Sequence, residues 1–375
     1  MRPGARVFLI ALALLGLVLV AGGAGYWFSR PRPPRLTLTA ASFDALAGWR
    51  DDAIAAAVPA FLKSCAAFGA KADDKPIDTR PTAADFGRVG EWRPACAAAA
   101  AVPAGDDQAG RHFFEAWFRP LLAGNNGDSD GLFTGYFEIS LSGSRKRGGR
   151  YQTPLYRKPA DPARFSRAEI EDGALAGQNL ELLWVDDPVG AFFLEIQGSG
   201  RIKLAEGGTA RVGYDGANGR PYVPVGRLLV ERGVLPREKV TMAAIREWMA
   251  ANPKEGAALR RENPSFVFFR EVIGDGPIGA ERVVLTPERS LAVDRAYIPL
   301  GIPIWLDAQQ RFATEIVRRL VVAQDTGGAI KGPVRGDLFW GTGDKPGATA
   351  GAMNARGRYY LLLPPAVAER AAGRH

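Results

Sequence analysis

The catalytic chemistry open to this chain is carboxylate chemistry, because the other common catalytic groups are scarce. It holds two histidines, His112 and His375. A zinc site built from several histidines is therefore out of reach, and two cysteines cannot replace them. A Ser-His-Asp triad would have to use His112, which opens an aromatic helical stretch and reads as a solvated helix-start residue. No Walker-type loop occurs; Gly198-Ser199-Gly200 and Gly341-Thr342-Gly343 are too short to cradle phosphate. No metal and no cofactor is expected.

Three aspartates stand out by position. Asp294 follows Leu291-Ala292-Val293 and precedes a Pro-Gly turn at Pro299 to Gly301. Asp325 ends the apolar run Leu320-Val321-Val322-Ala323-Gln324, with Gly327-Gly328 just after. Asp337 opens Asp337-Leu338-Phe339-Trp340. A carboxyl at the end of a buried strand is partly desolvated. Desolvation raises its pKa and keeps a proton on it nearer neutrality, as a general acid needs. Glycines beside it let a bulky substrate approach the backbone. The competing assignment is that such aspartates make turn hydrogen bonds. On the binding side, Gln197-Gly198-Ser199-Gly200 sets polar groups beside small residues, and Phe133, Tyr136, Tyr214, Tyr222, Trp305 and Trp340 are candidates to stack on sugar faces or to fill the core.

The elements that position these residues follow from periodicity and breakers. Residues 29–40 read as a proline-rich linker and residues 41–124 as mainly helical. The clearest helix is Arg111 to Leu122, with Phe113, Phe114, Trp117, Phe118, Leu121 and Leu122 on one face and a turn at Gly124 to Asp128. Strands are predicted at Leu132–Leu141, Tyr151–Arg157, Ala191–Gln197 and Gly208–Tyr214, and helices at Arg167–Leu175, Val225–Arg232 and Lys239–Ala251. A second strand-rich section holds Ser265–Val272, Arg282–Leu285, Ile302–Leu306, Arg318–Gln324, Asp337–Gly341 and Arg358–Leu363. The tail after Pro365 reads as frayed. The fold class is mainly β with α.

The first thirty residues bear on compartment. Arg2 and Arg6 precede the apolar run Val7 to Phe28, long enough to span a bilayer. It predicts a membrane anchor, with a cleaved export signal as the alternative. In an exported chain Cys65 and Cys96 form a bridge, closing a loop of about 30 residues for roughly 3–4 kcal/mol; two buried free thiols are the alternative. The net charge of +8 suits an anionic surface or polymer. Nucleic acid is not expected as a partner, because the basic residues are scattered; the densest run, Arg145 to Arg150, reads as a solvated hairpin tip.

The order of segments resembles the membrane-bound lytic murein transglycosylase A family. The matching stretches are LFTGYFE (132–138), TPLYRKP (153–159), FFLEIQGSGRIKL (192–204), VGYDGANGRPYVPVGRLLVERG (212–233), NPSFVFFRE (263–271), AVDRAYIPLGIPIWL (292–306) and AQDTGGAIKGPVRGDLFWGTG (323–343). The resemblance implies a double-psi β-barrel catalytic domain from residues 41–136 and 263–365. A smaller β-rich domain, 137–262, is inserted into it, with a glycan groove between the two and a tail at 366–375. It implies that Asp325, in D-x-G-G-A-I-K-G, is the catalytic acid and base, with Asp294 and Asp337 in support. Thr134, Tyr136, Gln197, Gly198, Ser199, Gly200, Gly327, Gly328 and Lys331 would bind substrate. The implied reaction is non-hydrolytic cleavage of the β-1,4 bond between N-acetylmuramic acid and N-acetylglucosamine, leaving 1,6-anhydro ends. Peptidoglycan glycan strands would be the partner, on the periplasmic side of a bacterial membrane. Lipoprotein members carry a cysteine just after the signal; here the first cysteine is Cys65, so anchoring falls to residues 7–28. The competing functions are a non-catalytic glycan-binding wall protein and a two-carboxylate peptidoglycan hydrolase.

Overall fold

The computed structural model describes residues 33–78, 85–274, 276–311 and 314–373. The predicted anchor, Val7 to Phe28, lies outside them. Among the described residues no helix is long and apolar enough to cross a membrane.

The described residues open with β1 (Leu36–Ala40), followed by the α-helices α1 (Val58–Gly69), α2 (Val89–Ala99) and α3 (Asp107–Trp117). Strands β2 (Arg119–Asn125), β3 (Gly131–Ser144) and β4 (Thr153–Tyr156) precede α4 (Arg167–Glu171), β5 (Glu181–Val185) and α5 (Pro188–Gln197). Next come β6 (Ser199–Leu204), β7 (Thr209–Ala217), α6 (Val225–Glu231), α7 (Met242–Ala251), α8 (Pro253–Arg261) and β8 (Val267–Glu271). The last section is β9 (Ser290–Val293), β10 (Pro303–Gln310), β11 (Ile316–Asp325), β12 (Arg335–Thr342), α9 (Asp344–Ala352), β13 (Asn354–Leu363) and α10 (Pro365–Ala372).

Strands β3, β12, β9, β11, β10 and β13 pair in a closed ring. β12 runs parallel to β3, β11 parallel to β9, and the remaining neighbours are antiparallel. A closed ring leaves no free edge within itself. Its strand count is compatible with the double-psi barrel that the resemblance implies. β3 is the hinge of the layout. Its first half pairs with β12 and β13, and its second half leaves the ring to pair with β6 and β5, with β7 and β8 beyond.

Two apolar cores follow from this. One gathers the inner faces of the ring with Phe61, Trp92, Phe114 and Phe118 of the helical section. The other lies around Phe192, Phe193, Leu229, Met249 and Phe269. The Cys65–Cys96 disulfide, with Cα atoms 5.6 Å apart, joins α1 to α2; free thiols are excluded.

Several predicted elements differ. Ala191–Gln197, expected as a strand, is the body of α5. Asp187 caps it by accepting from the Gly190 N–H at 2.8 Å, Pro188 starts it, and Gly198 ends it in the left-handed region at φ +78°. Cap chemistry outweighed an apolar run that fits either element. The helix predicted to reach Leu122 stops at Trp117, because Pro120 disfavours helical backbone at Arg119. Leu121 and Leu122 instead sit on β2 and pair with β1. The linker's second half is β1, where Leu36 and Leu38 alternate inward. Arg282–Leu285 is not a strand but part of a tight turn, with Arg282 at φ +65° and the Gly279 N–H bonded to Val283 O. The tail is not frayed: α10 buries Val367, Ala368 and Ala371, and Arg370 pairs with Glu91 at 2.7 Å.

Candidate active site

Asp325 is the last residue of β11, where the strand leaves the ring and turns into the exposed stretch around Gly328. Its register shifts there against β9. The carboxyl is half-buried and takes three hydrogen bonds from neutral donors. The Tyr136 hydroxyl donates to Oδ2 at 2.8 Å, and the N–H groups of Ala280 and Thr326 donate to Oδ1 at 2.9 Å each. Burial pushes the Asp325 pKa above the ordinary carboxylate range, with the three donors pulling the other way. Tyr136 is buried and packs on Phe339, in a small apolar patch with Leu285, Ala292 and Ile330. Burial, then the charge of Asp325, drives its phenol pKa well upward, so the hydroxyl stays a donor.

Asp337 lies on β12 directly opposite Thr134 of β3. Thr134 Oγ1 donates to Asp337 Oδ1 at 2.8 Å and accepts from Arg335 Nη2 at 2.8 Å. Burial raises the Asp337 pKa to about 6 against the pull of Arg335, and the nearby Asp325 carboxylate adds to the rise. Asp294 is buried and braces the loop that follows Asp325. Its Oδ2 accepts from the Gly332 N–H at 2.7 Å and its Oδ1 from the Ala296 N–H at 3.0 Å. Thr326 Oγ1 donates to Val293 O at 2.8 Å, closing the other end of that loop.

The predicted binding residues divide. Gly327 is half-buried, and Gly328 and Lys331 are exposed on the loop beyond Asp325. A Cβ on Gly328 would meet nothing within 4 Å, so its surroundings are open. Gln197 ends α5 and accepts from the Phe137 N–H at 3.0 Å, tying that helix to β3. Gly200 is pressed between Leu194 and Ile139, with no room for a Cβ. Ser199 is half-buried at the start of β6. Among the aromatic candidates, Phe133 and Trp305 are fully buried and belong to the core. Tyr214 is 56% exposed and free to stack. Arg319 covers the Trp340 ring at 5.2 Å.

Residue types alone did not reveal some members. Ala280 contributes a backbone N–H, which carries no sequence signal. Glu138 is fully buried on β3 and held by Arg201 at 2.8 Å, Arg211 at 2.9 Å and the Thr342 hydroxyl at 2.7 Å. A charge inside the otherwise apolar LFTGYFE strand was its one available sign.

A half-buried carboxyl at the end of a strand, beside an exposed loop, is a group that could give and take a proton. Comparison with known proteins places the chain in a family. Residues 132–270 match the family model described as the MltA specific insert domain, and residues 289–363 match the 3D domain. The membrane-bound lytic murein transglycosylase A of Escherichia coli K12 is 35% identical over 268 residues, covering 69% of this chain and 72% of that protein. The lytic transglycosylase LtgG of Burkholderia pseudomallei is 43% identical, covers 89% of this chain and 98% of its own, and superposes with a TM-score of 0.62. E. coli MltA with bound chitohexaose is 27% identical over 89% of this chain and 95% of that one, at a TM-score of 0.66. The chain belongs to the membrane-bound lytic murein transglycosylase A family.

Proposed function

We propose that the protein is a lytic transglycosylase that cuts the β-1,4 bond between N-acetylmuramic acid and N-acetylglucosamine in peptidoglycan, with Asp325 as its single acid and base. The observation that carries this is the Asp325 carboxyl: half-buried, raised in pKa, held by neutral donors only, and placed beside the open Gly327-Gly328 loop. Asp325 gives its proton to the leaving glycosidic oxygen. The resulting carboxylate, stabilised by Tyr136, Ala280 and Thr326, then takes the proton from the C6 hydroxyl of the muramic sugar. That oxygen attacks C1 and closes the 1,6-anhydro ring. An internal hydroxyl held near C1 has a large effective-concentration advantage over water. Asp294 and Asp337 position the loop and the side wall.

The glycan groove in this reading runs between a catalytic unit, residues 41–136 and 263–365, and an insert, 137–262. The insert model matching 132–270 supports that division. The chitohexaose bound to the E. coli relative supports a glycan occupant. Residues 7–28 serve as an anchor or export signal that delivers the enzyme to the periplasmic side. The disulfide and the membrane-bound description of relatives support export.

Asp337, with a pKa raised to about 6, favours a second reading in which two carboxylates hydrolyse the bond. Digesting purified peptidoglycan and identifying the new glycan ends separates them. The transglycosylase leaves 1,6-anhydro ends, and Asp325→Asn leaves none. Reducing ends would establish the hydrolase.

A further inference from the structure

Three fully buried polar side chains lie behind Asp325 and have no part in the reaction just described: Ser64, Ser290 and Gln324, each 0% exposed. They form one directed chain of hydrogen bonds. The Thr286 N–H donates to Ser290 Oγ at 2.8 Å, and Ser290 Oγ donates to Gln324 Oε1 at 2.6 Å. Gln324 Nε2 donates to Ser64 Oγ at 2.9 Å and to Ala60 O at 2.8 Å. Ser64 Oγ donates to Glu281 Oε2 at 2.6 Å. Every donor points the same way, and the terminal acceptor is a carboxyl.

That carboxyl belongs to the turn that serves Asp325. Glu281 follows Ala280, whose N–H donates to Asp325 Oδ1, and Gln324 precedes Asp325 in β11. The Glu281 N–H also donates to Gln324 O at 3.1 Å. A Cβ on Gly279 would stand 2.5 Å from Gln324 O, so the turn lies flat on the strand. Helix α1 holds this segment twice. Ser64 takes Glu281, and Lys63 Nζ donates to Val284 O at 2.9 Å and Thr286 Oγ1 at 2.8 Å.

We propose that Glu281 is a positioning residue for the transglycosylase reaction: its bond to Ser64 fixes the 279–281 turn and aims the Ala280 N–H at Asp325. The proposal rests on the reading of Asp325 as acid and base. Without the acceptor, the Ser64 hydroxyl is stranded in the core and the turn loses its inward tether. A loosened Ala280 N–H stabilises the Asp325 carboxylate less, so the Asp325 pKa rises and the returning base is misplaced. Ser64 and Gln324 face the Glu281 carboxyl from α1 and β11, and the cations Lys71 and Arg295 act on it from beyond α1 and after β9. Burial raises its pKa to about 7, so its charge changes in the working range. An ionised acceptor binds the Ser64 hydroxyl more strongly than a neutral one.

The test follows the carboxyl signal of Asp325 by carbon-detected NMR titration in the full chain, beside peptidoglycan turnover. Glu281→Ala is expected to raise the Asp325 pKa by at least about half a unit. It should lower kcat about tenfold, with KM changed less than about twofold. Glu281→Gln, which keeps an acceptor for Ser64, should hold kcat within about threefold of wild type and lose any inflexion near neutrality in the pH profile. Ser64→Ala removes the donor instead and should shift the Asp325 titration in the same direction, so the idea survives poor folding of one variant. An unmoved Asp325 titration in folded Glu281→Ala or Ser64→Ala overturns the proposal. So does a Glu281→Gln variant as damaged as Glu281→Ala. The NMR readout does not depend on catalysis. Should Asp325→Asn retain activity, the reading of Asp325 falls while the tether itself is still measured.

Discussion

Among the described residues, two sets of buried carboxyls, Glu195 with Glu138 and Asp325, are held in opposite ways. In the insert region, Glu195 is gripped by both Arg167 nitrogens at 3.0 and 2.7 Å, and Glu138 by two arginines. Arg167 is itself enclosed, with its guanidinium over Phe192 and Phe266 and further bonds to Asn263 O and Ser265 O. At the open end of the barrel, Asp325 receives three hydrogen bonds and no cation. An arginine fixes a carboxylate in a charge-paired, bidentate contact and makes it a structural post. Neutral donors orient a carboxyl while leaving its proton available. The contrast is sharpest on β3, where Tyr136 serves Asp325 and Glu138, two residues on, is locked by arginines.

Asp325→Asn tests the barrel half of that contrast and has the largest expected effect. It should cut peptidoglycan cleavage at least about a thousandfold, the scale of general acid–base contributions. The fold should remain, since an amide keeps the shape. A variant retaining more than a few per cent of wild-type turnover would remove Asp325 from the reaction.

Glu195→Ala tests the other half. It leaves the buried Arg167 guanidinium with the longer pair to Glu171 at 3.4 Å, and the expected loss of stability is about 3 kcal/mol. Denaturant unfolding measures it. Activity per folded molecule should hold, and a loss below about 1 kcal/mol would show that Glu195 is not a structural post.

Asp337→Asn should move stability the other way. The folded-state pKa, about 6, is raised above the unfolded value near 4, so the folded state holds the proton more tightly. Stability therefore falls as pH rises between those values, and the deficit persists above them. Removing the charge should stabilise the protein by on the order of 2 kcal/mol near neutral pH, with no gain below about pH 4. Its turnover should fall less than that of Asp325→Asn; an equal fall with the fold intact would bring back the two-carboxylate hydrolase.

Tyr136→Phe has the smallest expected effect. Loss of one hydroxyl donor should lower kcat about tenfold and raise the Asp325 pKa, moving the pH–rate profile upward. A downward move would contradict the donor role.

The positions of the three aspartates in this candidate site are legible in the sequence, for identifiable reasons. The three aspartates sit at strand ends bounded by glycine or proline, so composition and punctuation marked them. Their separate contacts are less visible. Asp294 accepts from the Gly332 N–H, 38 residues on and beyond β10 and β11, and Tyr136 lies 189 residues from Asp325 in sequence. The ring itself depends on β3 pairing with β12 and β13 from the opposite end of the chain, which local patterns do not encode. The α5 error is instructive in the other direction. Asp187, Pro188 and Gly198 are all legible as helix caps, and they decide the element over the apolar run between them. Ala280 and Glu281 precede Arg282–Leu285, which is predicted as a strand, and their contacts come from a turn folded against Gln324.

In the proposed reaction a substrate hydroxyl, not water, attacks C1, with Asp325 as the proton shuttle. Digestion of peptidoglycan in oxygen-18 water, with mass analysis of the released muropeptides, tests it most directly. The expected products are 1,6-anhydromuropeptides without label at C1, with no cleavage by Asp325→Asn. Reducing ends carrying the label would make water the nucleophile and overturn the transglycosylase reaction, even with Asp325 essential.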